Sequence, residues 1–233
     1  MSFFHSSKGV MKLIDQLIIG NTKSYDTFGA SVKERKIHAP KKKTIKETVP
    51  FSNKTHDFSG INGEVYWEER QLDYIFEILA DSPEELEEKK TAFLSWIMNV
   101  NNEKLYDPFT KGYYYLATYD DCDPDDSEIE KSTITVTFTA YPYKIADKAT
   151  VTTQSITTSE KSITINNKSS HRITPTFNSS VSFTVTVNGS SYSLPSGEVT
   201  SESIMFEPGN NTVKFKSTSG SGTLTISYIE EVF

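Results

Sequence analysis

Asp121, Asp123 and Asp125, spaced two apart, come nearest in this sequence to a local chemical motif, because a hard cation such as calcium needs several oxygen ligands from one short flexible segment. The glycine of the sharp turn and the closing bidentate glutamate are missing at their offsets, and Pro124 interrupts the run, so the favoured reading is a solvated acidic loop. His5, His38, His56 and His171 are scattered, with no HExxH or paired Cys/His spacing, and encode no local zinc site. There is no Gly-rich phosphate loop and no Gly-x-Ser-x-Gly elbow; Ser219-Gly220-Ser221-Gly222 reads as a hairpin turn. Glu64, Glu68 and Glu69 could serve a hydrolase only by converging from a distance, and nothing in the sequence prefers that to solvated charges. Cys122, the single cysteine, lies among Asp120, Asp121 and Asp123; like charge disfavours a thiolate, so neither a reactive thiol nor an internal disulfide is expected. The expectation is a chain that is not an enzyme and uses no cofactor and no metal.

The elements that would carry these residues change character near residue 150. Residues 12–148 hold most of the charge, whereas 33 of the 84 residues from 150 to 233 are Ser or Thr, a composition that favours strands and turns over helix. The predicted organisation is an extension over 1–11, an N-terminal β domain with one helix over 12–148 and a β-sandwich over 149–233. Apolar residues make up 36% of the chain, below the ~45–50% of soluble domains on a count that includes Gly, so each core should be small and association should add stability. No apolar run reaches the ~18 residues of a membrane-spanning helix, and the N-terminus lacks the basic and apolar pattern of a secretion signal.

Periodicity places the elements. Leu13 to Ile19 reads as a first strand ending at a Gly20-Asn21 turn, and Ile37 to Pro40 is followed by a charged strand-like run ending at Val49-Pro50, before a loop or hairpin over 51–63. Leu72, Tyr74, Phe76 and Ile78 alternate with more polar neighbours and put an apolar stripe on one sheet face. Ser82-Pro83-Glu84-Glu85 is a helix start, with Ser82 as N-cap, Pro83 at N1 and Glu85 at N3 of a capping box. Leu86, Phe93, Leu94 and Ile97 then share one face of a helix ending near Asn99, with Trp96 at the edge of the same core. Ser132 to Tyr143 alternates again, with Ile134, Val136, Phe138 and Ala140 on one side. Beyond 150, short apolar segments recur every ~8–12 residues, separated by turns such as Asn188-Gly189 and Pro208-Gly209-Asn210, which predicts a jelly-roll sandwich. A sandwich raises sugar binding on exposed aromatics; Tyr192 and Tyr228 are candidates, but their alternation with apolar neighbours reads as core.

The net charge of -7 hides segregation. Lys33, Arg35, Lys36, Lys41, Lys42, Lys43 and Lys46 face Glu34 alone in one stretch, whereas residues 120–130 carry seven acids and no base. Both read first as solvated segments; a sharper reading has opposite charges on neighbouring copies setting the register of a ring. Lys41, Lys42 and Lys43 are the candidate subunit contacts. Nucleic-acid binding is disfavoured, because the basic run has no interleaved aromatics and the chain is acidic overall.

The order of elements resembles the distal tail proteins of long-tailed, non-contractile phages. The residues that carry the likeness are Lys12-Leu13-Ile14, Ala39-Pro40-Lys41-Lys42-Lys43 running into Val49-Pro50-Phe51, Asp57-Phe58-Ser59, and Tyr66-Trp67-Glu68-Glu69-Arg70. The capped helix, Tyr115-Leu116-Ala117, Val136-Thr137-Phe138 to Tyr141-Pro142-Tyr143, and Pro208-Gly209-Asn210-Asn211 complete it. The resemblance spans residues 12–233 and implies a mainly β fold: an N-terminal β-barrel-like, ring-forming domain with one helix, and a C-terminal galectin-like or jelly-roll sandwich. It implies a structural hub in the virion at the distal end of the tail, made in the host bacterial cytoplasm. Six copies would close around a channel for DNA, with the tail tube protein on one side, the tail-associated tip protein on the other and receptor-binding proteins as further neighbours. DNA in transit should not be held by lysine and arginine, so Asp120, Asp121, Asp123, Asp125 and Asp126 are the candidate channel rim. The alternatives are a carbohydrate- or receptor-binding adhesin of a phage tail or of a phage-tail-like bacteriocin, and a tail-tip hydrolase.

Overall fold

The computed structural model describes residues 16–48, 50–51, 53–60, 63–125 and 128–233. The predicted extension over 1–11, the Lys12-Leu13-Ile14 segment and the candidate rim residue Asp126 lie outside them. In chain order come β1 (Ile18–Ile19), β2 (Thr22–Lys23), α1 (Ser24–Phe28), β3 (Ala30–Ile37), β4 (Lys46–Thr48), β5 (Thr55–Asp57) and β6 (Arg70–Leu79). Then follow α2 (Pro83–Ile97), β7 (Glu103–Tyr106), β8 (Tyr113–Asp125), β9 (Lys131–Ala140) and β10 (Lys144–Ala146). The remainder is β11 (Thr150–Ile156), β12 (Lys161–Asn167), β13 (Thr176–Ser179), β14 (Phe183–Val187) and β15 (Ser190–Leu194). It closes with β16 (Gly197–Thr200), β17 (Gly209–Ser217), β18 (Gly222–Tyr228) and β19 (Glu231–Val232). Contacts divide the described chain into two compact units: residues up to Lys41, Glu69–Phe109 and Ala117–Ala140 form the first, and Lys42–Glu68, Thr110–Leu116 and Tyr141–Phe233 the second.

In the first unit the strands follow the order β2-β1-β7-β8-β9-β6-β3. Strict alternation along β6 and β9 sets their antiparallel register from Arg70 opposite Ala140 to Leu79 opposite Lys131. Leu72, Tyr74, Phe76 and Ile78 on β6, with Ile134, Val136 and Phe138 on β9, are all fully buried on one face. Each such side chain contributes roughly 1.5–3 kcal/mol relative to exposure, which is why register is firm here. Helix α2 covers the core with Leu86, Phe93 and Ile97, and the Phe93 ring lies 4.9 Å from that of Phe76. Trp96 stacks on Phe28 at 5.0 Å, the packing role the sequence predicts.

Helix α2 starts as expected at Ser82, whose Oγ accepts from the Glu85 N–H at 3.2 Å. The reciprocal bond of the capping box shifts by one residue: the Glu85 carboxylate accepts from the Asp81 N–H at 2.9 Å. Elements beyond the predicted set appear, α1 and β3 among them. A one-turn helix, α1, closes on Gly29 at φ 70, the left-handed conformation glycine accepts without strain. Strand β3 runs over Ala30–Ile37, ahead of the strand-like run expected before Val49-Pro50, and pairs with β6 around a bulge at Lys33. Its run of Lys33, Glu34, Arg35 and Lys36 conceals a strand because these side chains point to solvent or to acidic partners; Lys33 meets Glu77 at 2.9 Å.

The acidic loop expected at 120–130 is instead, over Asp120–Asp125, the end of strand β8. Asp121, Cys122, Asp123, Pro124 and Asp125 pair with Thr137 down to Thr133 of β9 after a register shift between Tyr119 and Asp121. The neighbouring ladder overrides the weak strand preference of Asp and Pro, because β9 offers a complete partner edge and the acid side chains stay in water.

The second unit contains two four-stranded antiparallel sheets, β11-β18-β13-β16 and β12-β17-β14-β15. Their facing side chains make one core that includes Phe177, Phe183, Phe206, Val213, Phe215, Leu224 and Ile226, the sandwich predicted from Ser/Thr-rich alternation. Asn188-Gly189 forms the two-residue turn of the β14–β15 hairpin with φ 48 and 97, a type I′ geometry. Asn211, fully buried beside the Pro208-Gly209 turn, accepts from the Glu207 N–H and the Asn188 amide and donates to the Glu207 and Gly209 carbonyls. All its polar capacity is satisfied, so the turn is fixed from inside.

Candidate functional site

Asp121, Asp123 and Asp125 alternate on β8 and are exposed, as is Asp120 at the bulge. Same-face neighbours on a strand stand about 7 Å apart, so these carboxylates form an open row and do not converge on one ion. Among the described residues no group of three metal-ligating side chains occurs. The row makes a strongly acidic edge. Its field reaches Tyr119, whose phenol is pushed up to about 12 by the hydrogen bond to Cys122 (3.4 Å), by burial, and by the charges of Cys122, Asp121 and Asp120.

Lys41, Lys42 and Lys43 are exposed. Within the second unit Lys42 bridges to Trp67, and the Lys43 N–H donates to the Tyr66 carbonyl at 2.9 Å, so the main chain of this segment is held. The residues that follow form the β4–β5 hairpin, whose six residues are all exposed, with Phe51 fully exposed near its tip. An isolated two-stranded hairpin is marginal in water, and this one has no third strand among the described residues.

A third feature, unmarked in the sequence reading, is a concavity of about 470 Å³ in the second unit. Its wall is built from the Tyr66-Trp67 segment, the Tyr141-Pro142-Tyr143 link before β10, the His171-Arg172 link, the Glu207-Pro208 turn and Phe233. Tyr143 stacks on His171 at 4.3 Å and lies 4.9 Å from Phe233, and Trp67 meets Phe233 edge-on at 5.0 Å. Glu231 sits behind this layer, accepting from the Tyr141 hydroxyl at 2.9 Å and contacting His171 Nε2 at 3.2 Å. Burial opposes its ionisation, yet the hydrogen bonds from His171 and Tyr141 prevail and hold its carboxyl below the usual value. Burial and the same carboxylate push the Tyr141 phenol well above its ordinary range. Arg172 is clamped between Glu207, which meets its Nε at 2.8 Å, and Glu64 at 3.3 Å from Nη1.

This arrangement offers recognition chemistry more readily than a reaction centre. His171 and Glu231 would orient a catalytic imidazole, but among the described residues the other ring nitrogen, Nδ1, is buried without a hydrogen-bond partner, and none of them places a hydroxyl or thiol in line to be activated. Of the three carboxylates considered for a hydrolase, Glu64 is bound to Arg172, and Glu68 and Glu69 are exposed. The aromatics named from the sequence are not platforms: Tyr228 is buried and donates to the Asn166 carbonyl, and Tyr192 packs on the core and donates to the Ser203 carbonyl. The exposed rings come from links between strands, where no periodicity marks them; the dense Tyr66-Trp67 and Tyr141-Pro142-Tyr143 pairs were the available signal.

No protein-family profile matches the chain, and no curated protein sequence matches it. Among solved structures, the crystal structure of the Dit protein of phage SPP1 superposes with a TM-score of 0.66 at 15% identity, covering 93% of this chain and 99% of that one. That protein is described as a paradigm of the hub adsorption apparatus in phages that infect Gram-positive bacteria. The activated baseplate of phage P2 gives a TM-score of 0.41 at 9% identity, with 92% of this chain and 98% of that chain covered. The mainly β architecture expected of a distal tail protein is thus present, and the chain has the fold of the SPP1 Dit hub protein.

Proposed function

We propose that this chain is a structural hub protein of a phage tail, placed at the distal end of the tail between the tube and the adsorption apparatus. The observation that carries the reading is the fold likeness to the SPP1 Dit protein over 93% of this chain and 99% of that one, which leaves no large insertion to house a separate activity. In the finer form of the proposal, six copies close into a ring. The ring joins the tail tube protein to the tail-associated tip protein, with receptor-binding proteins as neighbours. Lys41, Lys42 and Lys43, with the exposed β4–β5 hairpin beside them, supply contacts between copies, because an unsupported hairpin gains most from a neighbour. Asp120, Asp121, Asp123, Asp125 and Asp126 rim a channel whose negative charge keeps passing DNA from being held. The reading covers a virion, a prophage particle or a phage-tail-like bacteriocin alike. Antibody raised against the chain and imaged on intact particles should label the end of the tail remote from the head; label confined to the head or to the shaft of the tail would refute the placement.

A further inference from the structure

We propose that the concavity of the second unit walled by Tyr66, Trp67, Tyr141, His171, Arg172 and Phe233 binds a neutral saccharide. Tyr66, Tyr141 and Phe233 expose 46, 36 and 40% of their surface, and they gather at one hollow where lone surface aromatics would be scattered. Their ring faces suit the C–H face of a pyranose. The polar groups beside them have fixed directions and unused capacity. Arg172 is held through Nε and Nη1, which leaves Nη2 to donate, while the carboxylates of Glu64 and Glu207 keep lone pairs beyond those the guanidinium occupies. A sugar hydroxyl both donates and accepts, so it can use both kinds of group at once.

Charge narrows the ligand class. Glu64, Glu207 and Glu231 outnumber Arg172 and His171, which disfavours an anionic ligand, and the pairing of each carboxylate with Arg172, His171 or Tyr141 leaves a cation to compete with existing partners. A neutral polyol meets neither obstacle. The hollow of about 470 Å³ falls within the roughly 300–1,000 Å³ of small-ligand sites. The inference does not depend on ring formation, and its failure would leave the hub reading untouched.

The test titrates the full chain with the methyl glycosides of glucose, galactose and N-acetylglucosamine, and with glucose 6-phosphate as the charged comparison, read by tryptophan fluorescence and saturation-transfer NMR. At least one neutral sugar should bind saturably, with Kd on the order of 1 mM, and more tightly than the phosphate. Tyr66→Ala and Arg172→Gln, both at exposed positions, should each weaken binding about tenfold, or about 1.4 kcal/mol, with an unchanged thermal melt. No saturable response to any neutral sugar, tighter binding of the phosphate, or binding that survives both substitutions would overturn the proposal.

Discussion

Glu231 couples the second unit to pH. Its folded carboxyl lies below the ordinary value of 4.5, so ionised Glu231 stabilises the fold at neutral pH, and that contribution disappears as pH falls from 4.5 through the lower folded value. Glu231→Gln keeps the shape of the side chain but loses the charge opposite His171. The variant should be less stable at pH 7 by about 1–2 kcal/mol, and the deficit should shrink as melts are repeated toward pH 3. An equal deficit at every pH would show that charge at Glu231 is not what stabilises this layer. Asp73, also held below its ordinary value, supplies part of the acid response that both proteins share: burial opposes its ionisation, and hydrogen bonds from Gln71, His38 and Thr137 prevail. Residue-level detail was legible where the rule is local. Ser82 as N-cap follows from four consecutive residues, whereas the Glu231, His171 and Tyr141 cluster joins positions up to 90 apart in sequence and leaves no trace in any short window.

At the scale of elements, legibility followed the strength of periodicity. Strands β6 and β9 and helix α2 could be read because burial selects one face in each, and the buried residues are those that alternate or recur at helical spacing. Strand β3 carries four successive charged residues, and β8 ends in a run of Asp broken by Pro124, so both look like loops until a partner strand is present. That correction sharpens the candidate rim: in place of a flexible acidic loop, Asp121, Asp123 and Asp125 stand in register opposite Thr137, Thr135 and Thr133. A fixed row of charge repels DNA at a defined place. Replacing all three by Lys adds cationic contacts to phosphate, and the substituted strand should still pair because these side chains are exposed. Phage carrying the triple substitution should release DNA more slowly on triggering in vitro, most clearly at low salt. Release at the parental rate from particles that carry the variant would remove these residues from the channel rim.

At the scale of the whole molecule, the change of composition near residue 150 announced a Ser/Thr-rich sandwich, and its core formed as the alternation required. What composition could not convey is that residues 42–68 and 110–116 belong with the sandwich strands, since that association depends on contacts far apart in sequence such as Tyr114 with Ile145 and Trp67 with Phe233. The apolar content of 36% and the fully exposed hairpin tip at Phe51 both favour a molecule that buries more surface by meeting its own kind. The most direct measurement is native mass spectrometry of the purified chain, alone and mixed with the tail tube and tip proteins of the same particle. The hub account predicts a species containing six copies of the 26.2 kDa chain, free or on the end of a tube ring; a single-copy species under every one of these conditions would contradict it.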